Sequence, residues 1–155
     1  MKKLIIKKEE ALPLAEFLSQ INLSTSKLTR LRSQLKKKLV AIATQMDEDR
    51  LEIVKKFAVK DADGEPLIKK KEDGTDYYPT VFGKEQELND EYKELREEEV
   101  AIEVGEYSSK LTPLFEHMLN DDFTLPGGFE GTNADRYDRL MEIWEDAQED
   151  KEEEK

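Results

Sequence analysis

Few side chains in this sequence could carry out acid–base or metal chemistry. His117 is the only histidine, and the chain contains no cysteine. These two facts exclude metal sites built from several histidines or thiolates, and they exclude a thiol nucleophile. Leu114 stands three residues before His117, so the Glu-x-x-His pattern of di-metal helical bundles is also absent. We therefore expect His117 to be a surface or partly buried residue of a helix.

Two loops could be taken for ligand sites. In residues 61–64, Asp-Ala-Asp-Gly, the glycine comes at position 4, whereas a calcium-binding EF-hand loop needs glycine at position 6 and a glutamate at position 12. The sequence predicts an Asx–Gly turn there. Residues 125–132 are glycine-rich but lack the lysine of a phosphate-binding loop, and Glu130 would repel phosphate. We interpret them as a flexible connector, with Phe123 and Phe129 packed inward.

Acidic pairs such as Glu94 and Glu98 could in principle act as acid and base. A carboxylate needs burial or a close partner to acquire a useful pKa, and on a helix this charged both should be solvated. The sequence therefore predicts a protein that is not an enzyme, with no catalytic residue, no metal and no cofactor.

Charge is unevenly distributed along the 155 residues, whose net charge is −12. Residues 24–40 contain no acid, whereas residues 85–103 are dominated by glutamate. The basic stretch is a candidate surface for phosphate or for the acidic helix, and we favour the helix because no aromatic residue is interleaved to stack bases. The candidate basic face comprises Lys27, Arg30, Arg32, Lys36, Lys37 and Lys38, and the candidate acidic face comprises Glu87, Glu91, Glu94 and Glu98.

The elements that would position these residues can be read from hydrophobic spacing. Residues 4–6 and 100–104 read as two short strands that pair, and residues 11–21 as a short helix. Residues 24–59 predict a helix with one long apolar stripe, and residues 85–99 an antiparallel partner about half as long. Residues 60–83 predict a β-hairpin between these helices. Two helices follow, over residues 108–119 and 132–147.

These elements define a fold that is mainly α with a small β element (α+β). It is a long antiparallel helical hairpin joined by a β-hairpin, plus short C-terminal helices. We predict one domain over residues 1–147, with the hairpin inserted at about 60–83, and a disordered acidic tail over residues 148–155. No apolar run could span a membrane, and no signal peptide is evident, so we expect a cytoplasmic protein without membrane contact.

The apolar stripe of the long helix outruns its internal partner. One solution is a homodimer, with Leu35, Leu39, Ile42 and Met46 as candidate self-association residues. The other is that the helices over residues 11–21 and 133–147 fold back and cover the stripe within one chain.

The order of parts resembles a known family. The residues involved are the Lys-Asp-x-Asp-Gly turn at 60–64, the glutamate-rich helix ending in Glu-Glu-Glu-Val-Ala-Ile at 97–102, and Ala-x-x-Tyr-Asp-x-Leu at 134–140. They resemble a family of small uncharacterised proteins encoded by tailed phages and prophages of Gram-positive bacteria. The resemblance implies a phage-encoded protein in the host cell, and it supplies no catalytic residue.

The segregated charge, the long apolar stripe and the family resemblance together favour a non-enzymatic protein-interaction module. It would bind and modulate a host or phage protein, for example as an inhibitor of a host defence component. One alternative is a virion-assembly chaperone or structural component. A second is a nucleic-acid-associated or DNA-mimicking protein, which would use the basic stretch or the acidic face respectively.

Overall fold

The computed structural model describes residues 3–103 and 108–153, so Val104, the expected end of the second strand, lies outside the described residues. Helices predominate, and every sheet in the described part of the chain is a two-stranded antiparallel pair. The predicted class, mainly α with a small β element, is confirmed. In chain order the elements are β1 (Lys3–Lys7), a 3-10 turn (Lys8–Glu10), α1 (Ala11–Gln20), β2 (Asn22–Leu23), α2 (Ser26–Lys56), β3 (Lys69–Lys70), β4 (Asp76–Tyr77), α3 (Glu85–Glu97), β5 (Glu99–Glu103), α4 (Ser108–Leu119), β6 (Phe123–Thr124) and α5 (Thr132–Glu153).

The chain divides into two compact units. The first comprises Met1–Ala43 and Glu99–Lys155, and the second comprises Thr44–Glu98. The sequence assigned only residues 60–83 to an insertion, but the second unit also contains the end of α2 and all of α3. Backbone and side-chain bonds explain the wider boundary, because the Val81 N–H donates to the Phe57 carbonyl at 2.9 Å and Lys56 pairs with Glu91 at 2.7 Å.

The β1–β5 sheet of the first unit pairs two strands that are far apart in the chain. β1 pairs antiparallel with β5, with Leu4 opposite Ile102 and Ile6 opposite Val100. Leu4, Ile6 and Ile102 are buried, and their neighbours in β1 are exposed, as the alternation of a half-buried strand requires. The predicted pairing of these strands is confirmed.

One continuous core fills the first unit. The apolar face predicted for α1 is buried, and so is the first half of the α2 stripe. Because α4 and α5 contribute to the same cluster, the chain covers this half of the stripe by itself, as the second of the two predicted solutions required. The core includes Leu14, Phe17, Leu18, Ile21, Leu28, Leu31, Leu35, Leu39, Leu114, Phe115, Met118, Leu140 and Met141.

The ends of the two long helices have local causes. The Leu28 N–H donates to Thr25 Oγ1 at 3.2 Å, so the Thr25 side chain caps the start of α2. At the other boundary Glu98 has an extended ψ of 126°, which ends α3 at Glu97. Glu99, the last residue of the predicted helix, lies in β5 instead. Strand pairing with β1 therefore prevailed over the helix propensity of the glutamate run.

The glycine-rich connector is more ordered than the sequence indicated. Phe123 and Thr124 form β6, which pairs with β2, a two-residue sheet that the sequence did not predict. Phe123, Phe129 and Tyr137 form an aromatic cluster with ring centroids 5.5 to 6.0 Å apart. Phe123 packs partly against the core, as predicted, but Phe129 is 44% exposed, so the predicted inward packing was wrong for Phe129. The Tyr137 hydroxyl donates to the Met118 carbonyl at 3.0 Å, and burial raises the pKa of Tyr137.

α5 extends beyond its predicted end at Ala147. Its backbone is helical to Glu153, where we expected disorder from Gln148 onward. The absence of apolar residues led to that expectation, but glutamate, lysine and glutamine are good helix formers and can prolong an anchored helix without a core contact.

The second unit contains the predicted hairpin, the predicted turn at residues 61–64 and a second turn between β3 and β4. Asp61 Oδ1 accepts from the N–H groups of Asp63 and Glu65 at 2.9 and 3.0 Å, and Gly64 adopts φ +81°. Asp73 Oδ1 accepts from the Thr75 N–H in the same way, between β3 and β4. Each aspartate side chain accepts from backbone N–H groups at a reversal, as in an Asx–Gly turn, so the turn interpretation of residues 61–64 is confirmed.

A partly buried ion pair links the two ends of the first unit. The Nε and Nη2 N–H groups of Arg139 in α5 donate to Glu10, with Nη2 at 3.1 Å from Oε1, and the Lys7 N–H donates to the same oxygen at 3.0 Å. Burial alone would raise the pKa of Glu10. The hydrogen bonds and the positive charge of Arg139 outweigh that effect and hold the pKa of Glu10 below its ordinary value.

The Glu10–Arg139 pair should make stability depend on pH. Because the folded-state pKa of Glu10 lies below its ordinary value of 4.5, the pair stabilises the fold above that pH, and this contribution is lost as pH falls through the folded-state pKa. Glu10→Gln should lower the free energy of unfolding by about 1–2 kcal/mol at pH 7 and by clearly less at pH 3.5, measured by urea denaturation. Glu145→Gln, at an exposed position of α5, is the control. A pH-independent difference would contradict this account.

The end of α4 contains a strained residue. The Asp122 N–H donates to the His117 carbonyl at 2.8 Å and the Asp121 N–H to the Met118 carbonyl at 3.2 Å, which is the bonding of a Schellman motif. Asp121 therefore takes the left-handed conformation, with φ +58°, as the only non-glycine residue to do so in the described segments.

Asp121→Gly should stabilise the protein, because glycine adopts this conformation without a Cβ clash. We expect a gain of about 0.5–1 kcal/mol in the free energy of unfolding, measured by thermal or urea denaturation. Asn120→Gly, one residue earlier and at a negative φ, should destabilise by a similar amount and serves as the matched control. Equal effects of the two changes would overturn the assignment.

Candidate interaction surfaces

The candidate basic face lies on the first turns of α2, and the structure divides it. Lys27, Arg30, Lys37 and Lys38 are exposed, and Lys36 is half-buried. Arg32 is half-buried, and its guanidinium donates to the Ile21 carbonyl at 2.6 Å, which satisfies the backbone just after α1. Arg32 thus also joins two segments of the core, and its place in the basic face stays a prediction.

The predicted pairing of these cations with acids is not seen for most of them. Among the described residues, no ion pair involves Lys27, Arg30, Lys36 or Lys37. Their charges remain solvated, and the surface is too sparse to count as an assembled phosphate site.

The candidate acidic face is partly neutralised and partly interrupted. Glu87 lies 3.1 Å from Lys84, and Glu91 lies 2.7 Å from Lys56 of α2. Glu94 is exposed, whereas Glu98 lies beyond the end of α3 and does not share its face. The helical acidic surface thus consists of Glu87, Glu91 and Glu94, together with Asp90 and Glu97, which the sequence analysis did not single out.

The candidate self-association residues differ in how deeply they are buried. Leu35 and Leu39 are each 1% exposed and belong to the core of the first unit, so they cannot form a seam between two copies of the folded chain. Ile42 packs partly against that core, and Met46 is half-buried in the second unit. The choice of Leu35 and Leu39 was wrong because α1, α4 and α5 already cover this part of the stripe. A homodimer stays a prediction.

His117 does not assemble a catalytic or metal site with its neighbours. It lies in the last turn of α4, where Nδ1 is 2.5 Å from Asp122 Oδ2, and the pair is largely exposed. An open cavity of about 290 Å³ lies nearby, lined by residues 22–24 and 121–124. Across residues 3–103 and 108–153, no three His, Cys, Asp or Glu side chains are grouped so that they could hold a metal ion. None of the helices described there is long and apolar enough to cross a membrane.

The most exposed large apolar side chain described belongs to Phe82, which the sequence analysis treated as part of a strand. Phe82 is 98% exposed, with Val81 and Ile68 of the same unit also exposed. A turn explains this position, because the Lys84 N–H donates to the Val81 carbonyl at 3.0 Å and Gly83 has φ +86°. The signal available in the sequence was the glycine directly after an aromatic residue and directly before a helix start.

A substitution of Leu39 tests whether the apolar stripe of α2 packs in the core or forms a dimer interface. Leu39→Asp would place a charge among buried apolar side chains, so we expect loss of cooperative folding or destabilisation by about 4 kcal/mol or more. Val40→Asp, at the adjacent exposed position, should leave the helical circular dichroism and the melting temperature nearly unchanged. If the wild type is a dimer and Leu39→Asp is a folded monomer, the result would instead support a dimer interface that includes Leu39.

Comparison with known proteins identifies a family for this chain. Residues 2–149 match the DUF1617 family, described as proteins of unknown function. No curated protein and no solved structure matches the chain. The match covers most of the chain, in agreement with the resemblance to a family without an assigned activity. The chain therefore belongs to the DUF1617 family of proteins of unknown function.

Proposed function

We propose that this chain is a non-enzymatic protein-interaction module, a phage-encoded accessory protein that binds and modulates a host or phage protein. The phage context comes from the resemblance drawn from the sequence. The observation that supports binding is the side chain of Phe82, which is almost wholly exposed at the tip of a hydrogen-bonded turn. A protein partner that covers it would bring this ring out of water.

Burial of the Phe82 side chain by a partner would contribute a substantial part of a binding free energy. Fully burying a phenylalanine side chain contributes about 1.5–3 kcal/mol, and aromatic residues dominate the binding energy of many protein interfaces. Val81, next to Phe82 in the chain, is also exposed. The charged surface of α3 can add orientation and specificity rather than bulk affinity.

Nucleic-acid engagement is the second candidate function, favoured by the solvated cations of α2. Arg30 and Lys37 are exposed and are not part of any ion pair in the described part of the chain. The net charge of −12 opposes this function, since the molecule as a whole repels phosphate. Nuclease treatment before affinity capture separates protein-mediated from nucleic-acid-mediated recovery.

The test is affinity capture with wild-type protein and a Phe82→Ser variant from a nuclease-treated lysate of a Gram-positive host, with and without phage infection. We expect a specific protein with the wild type and strongly reduced recovery with the variant. Since Phe82 makes no core contact, Phe82→Ser should keep the wild-type circular dichroism spectrum. Val40→Ser, at an exposed apolar position in the first unit, is the matched control. Failure of the wild type to recover any protein would count against an interaction module.

A further inference from the structure

We propose that Phe82 inserts into an apolar pocket of the partner protein whose border carries lysine or arginine side chains. This proposal rests on the proposed function and specifies the chemistry of the partner. Two observations support it: the rigid presentation of the phenylalanine, and the acidic side chains that follow it in the same unit.

The turn that carries Phe82 is held by three hydrogen bonds. Val81 is anchored to the Phe57 carbonyl at 2.9 Å, Lys84 closes the turn on the Val81 carbonyl at 3.0 Å, and the Gly83 N–H donates to Glu85 Oε2 at 3.0 Å. Phe57 itself is buried, so the turn is fixed to the small core of this unit. A side chain presented on a fixed backbone loses less conformational entropy on binding than one on a loose loop. The geometry therefore suits an anchor that enters a pocket.

The charges next to Phe82 in the chain indicate the border of that pocket. α3 starts three residues after Phe82, and its acidic residues outnumber Lys93 and Arg96 by three to one. Lys84, the one cation between Phe82 and the helix, lies 3.1 Å from Glu87 and is thereby partly neutralised. The Glu85 carboxylate, which accepts from the Gly83 N–H, places negative charge next to the turn that carries Phe82, and basic side chains of a partner complement it. The acids of α3 are Glu85, Glu87, Asp90, Glu91, Glu94 and Glu97.

The same charges disfavour other occupants of this surface. A second copy of the chain would bring two molecules of net charge −12 together. Nucleic acid and an anionic membrane would meet α3 with the same sign of charge. A basic protein surface is the class of partner that both the apolar tip and the acidic helix can satisfy.

Photo-crosslinking tests the pocket directly. The probe is the full chain carrying p-benzoylphenylalanine in place of Phe82, irradiated in a host lysate, with the same photoreactive residue in place of Val40 as control. We expect a crosslink from position 82 alone, mapped by mass spectrometry to an apolar residue flanked in the partner's structure by lysine or arginine. A crosslink to an acidic or neutral site, to a second copy of the chain, or to nucleic acid would overturn the proposal.

Two sets of variants separate this inference from the proposed function, once the crosslinked partner has been purified. Phe82→Ser should weaken the Kd by about 30-fold or more, as expected for an interface hot spot. The double change Glu87→Gln and Asp90→Asn should weaken it by about 3- to 10-fold, mainly through slower association and a smaller dependence on salt. Glu48→Gln with Glu52→Gln removes the same charge from exposed positions of α2 in the same unit and should have little effect.

The outcomes are distinct. A partner that binds Phe82→Ser as tightly as wild type would sink the inference and leave the interaction module standing. Suppose that binding depends on Phe82 but that the Glu87/Asp90 variant and the Glu48/Glu52 variant change the Kd equally. The proposal that basic side chains border the partner's pocket would then also be wrong. If the wild type recovers no partner at all, the proposed function itself fails.

Discussion

The first compact unit depends on the antiparallel pairing of β1 with β5. These strands are separated by more than 90 residues, and their register places Leu4 and Ile6 against the same core as Ile102. Closing so long a loop costs conformational entropy, but that cost grows only slowly with length, and one well-filled core can offset it. The intervening segment Thr44–Glu98 is thereby free to form a second unit with its own contacts.

The two units differ in how much apolar side chain they bury. The core of the first combines parts of β1, β5 and four helices, and the partly buried Glu10–Arg139 pair ties the start of α1 to α5. In the described residues of the second, the buried apolar side chains are Phe57, Ala58 and Leu95. Asx turns and backbone bonds define this unit more than packing does. Segments with few buried contacts open at lower free energy, and binding surfaces are often drawn from them.

The residues whose types first suggested chemistry have structural roles in the described part of the chain. His117 belongs to a helix terminus, where its ring contacts Asp122 and its carbonyl takes part in the Schellman motif. Asp61 and Asp73 orient backbone N–H groups at turns. Arg32 bridges α2 to the Ile21 carbonyl. Each of these side chains makes a hydrogen bond or an ion pair within the chain.

Local patterns in the sequence determined the helices, the strand alternation, the Asx turns and the Thr25 cap, because each depends on residues within a few positions of one another. Three features were decided only by tertiary structure. Burial of Leu35 and Leu39 depends on helices that arrive from both sides in sequence, and the end of α3 depends on pairing of Glu99 with β1. Phe82 is exposed because no other segment of the chain packs against its side chain. The hydrophobic pattern of the sequence does not show which apolar side chains another segment will cover.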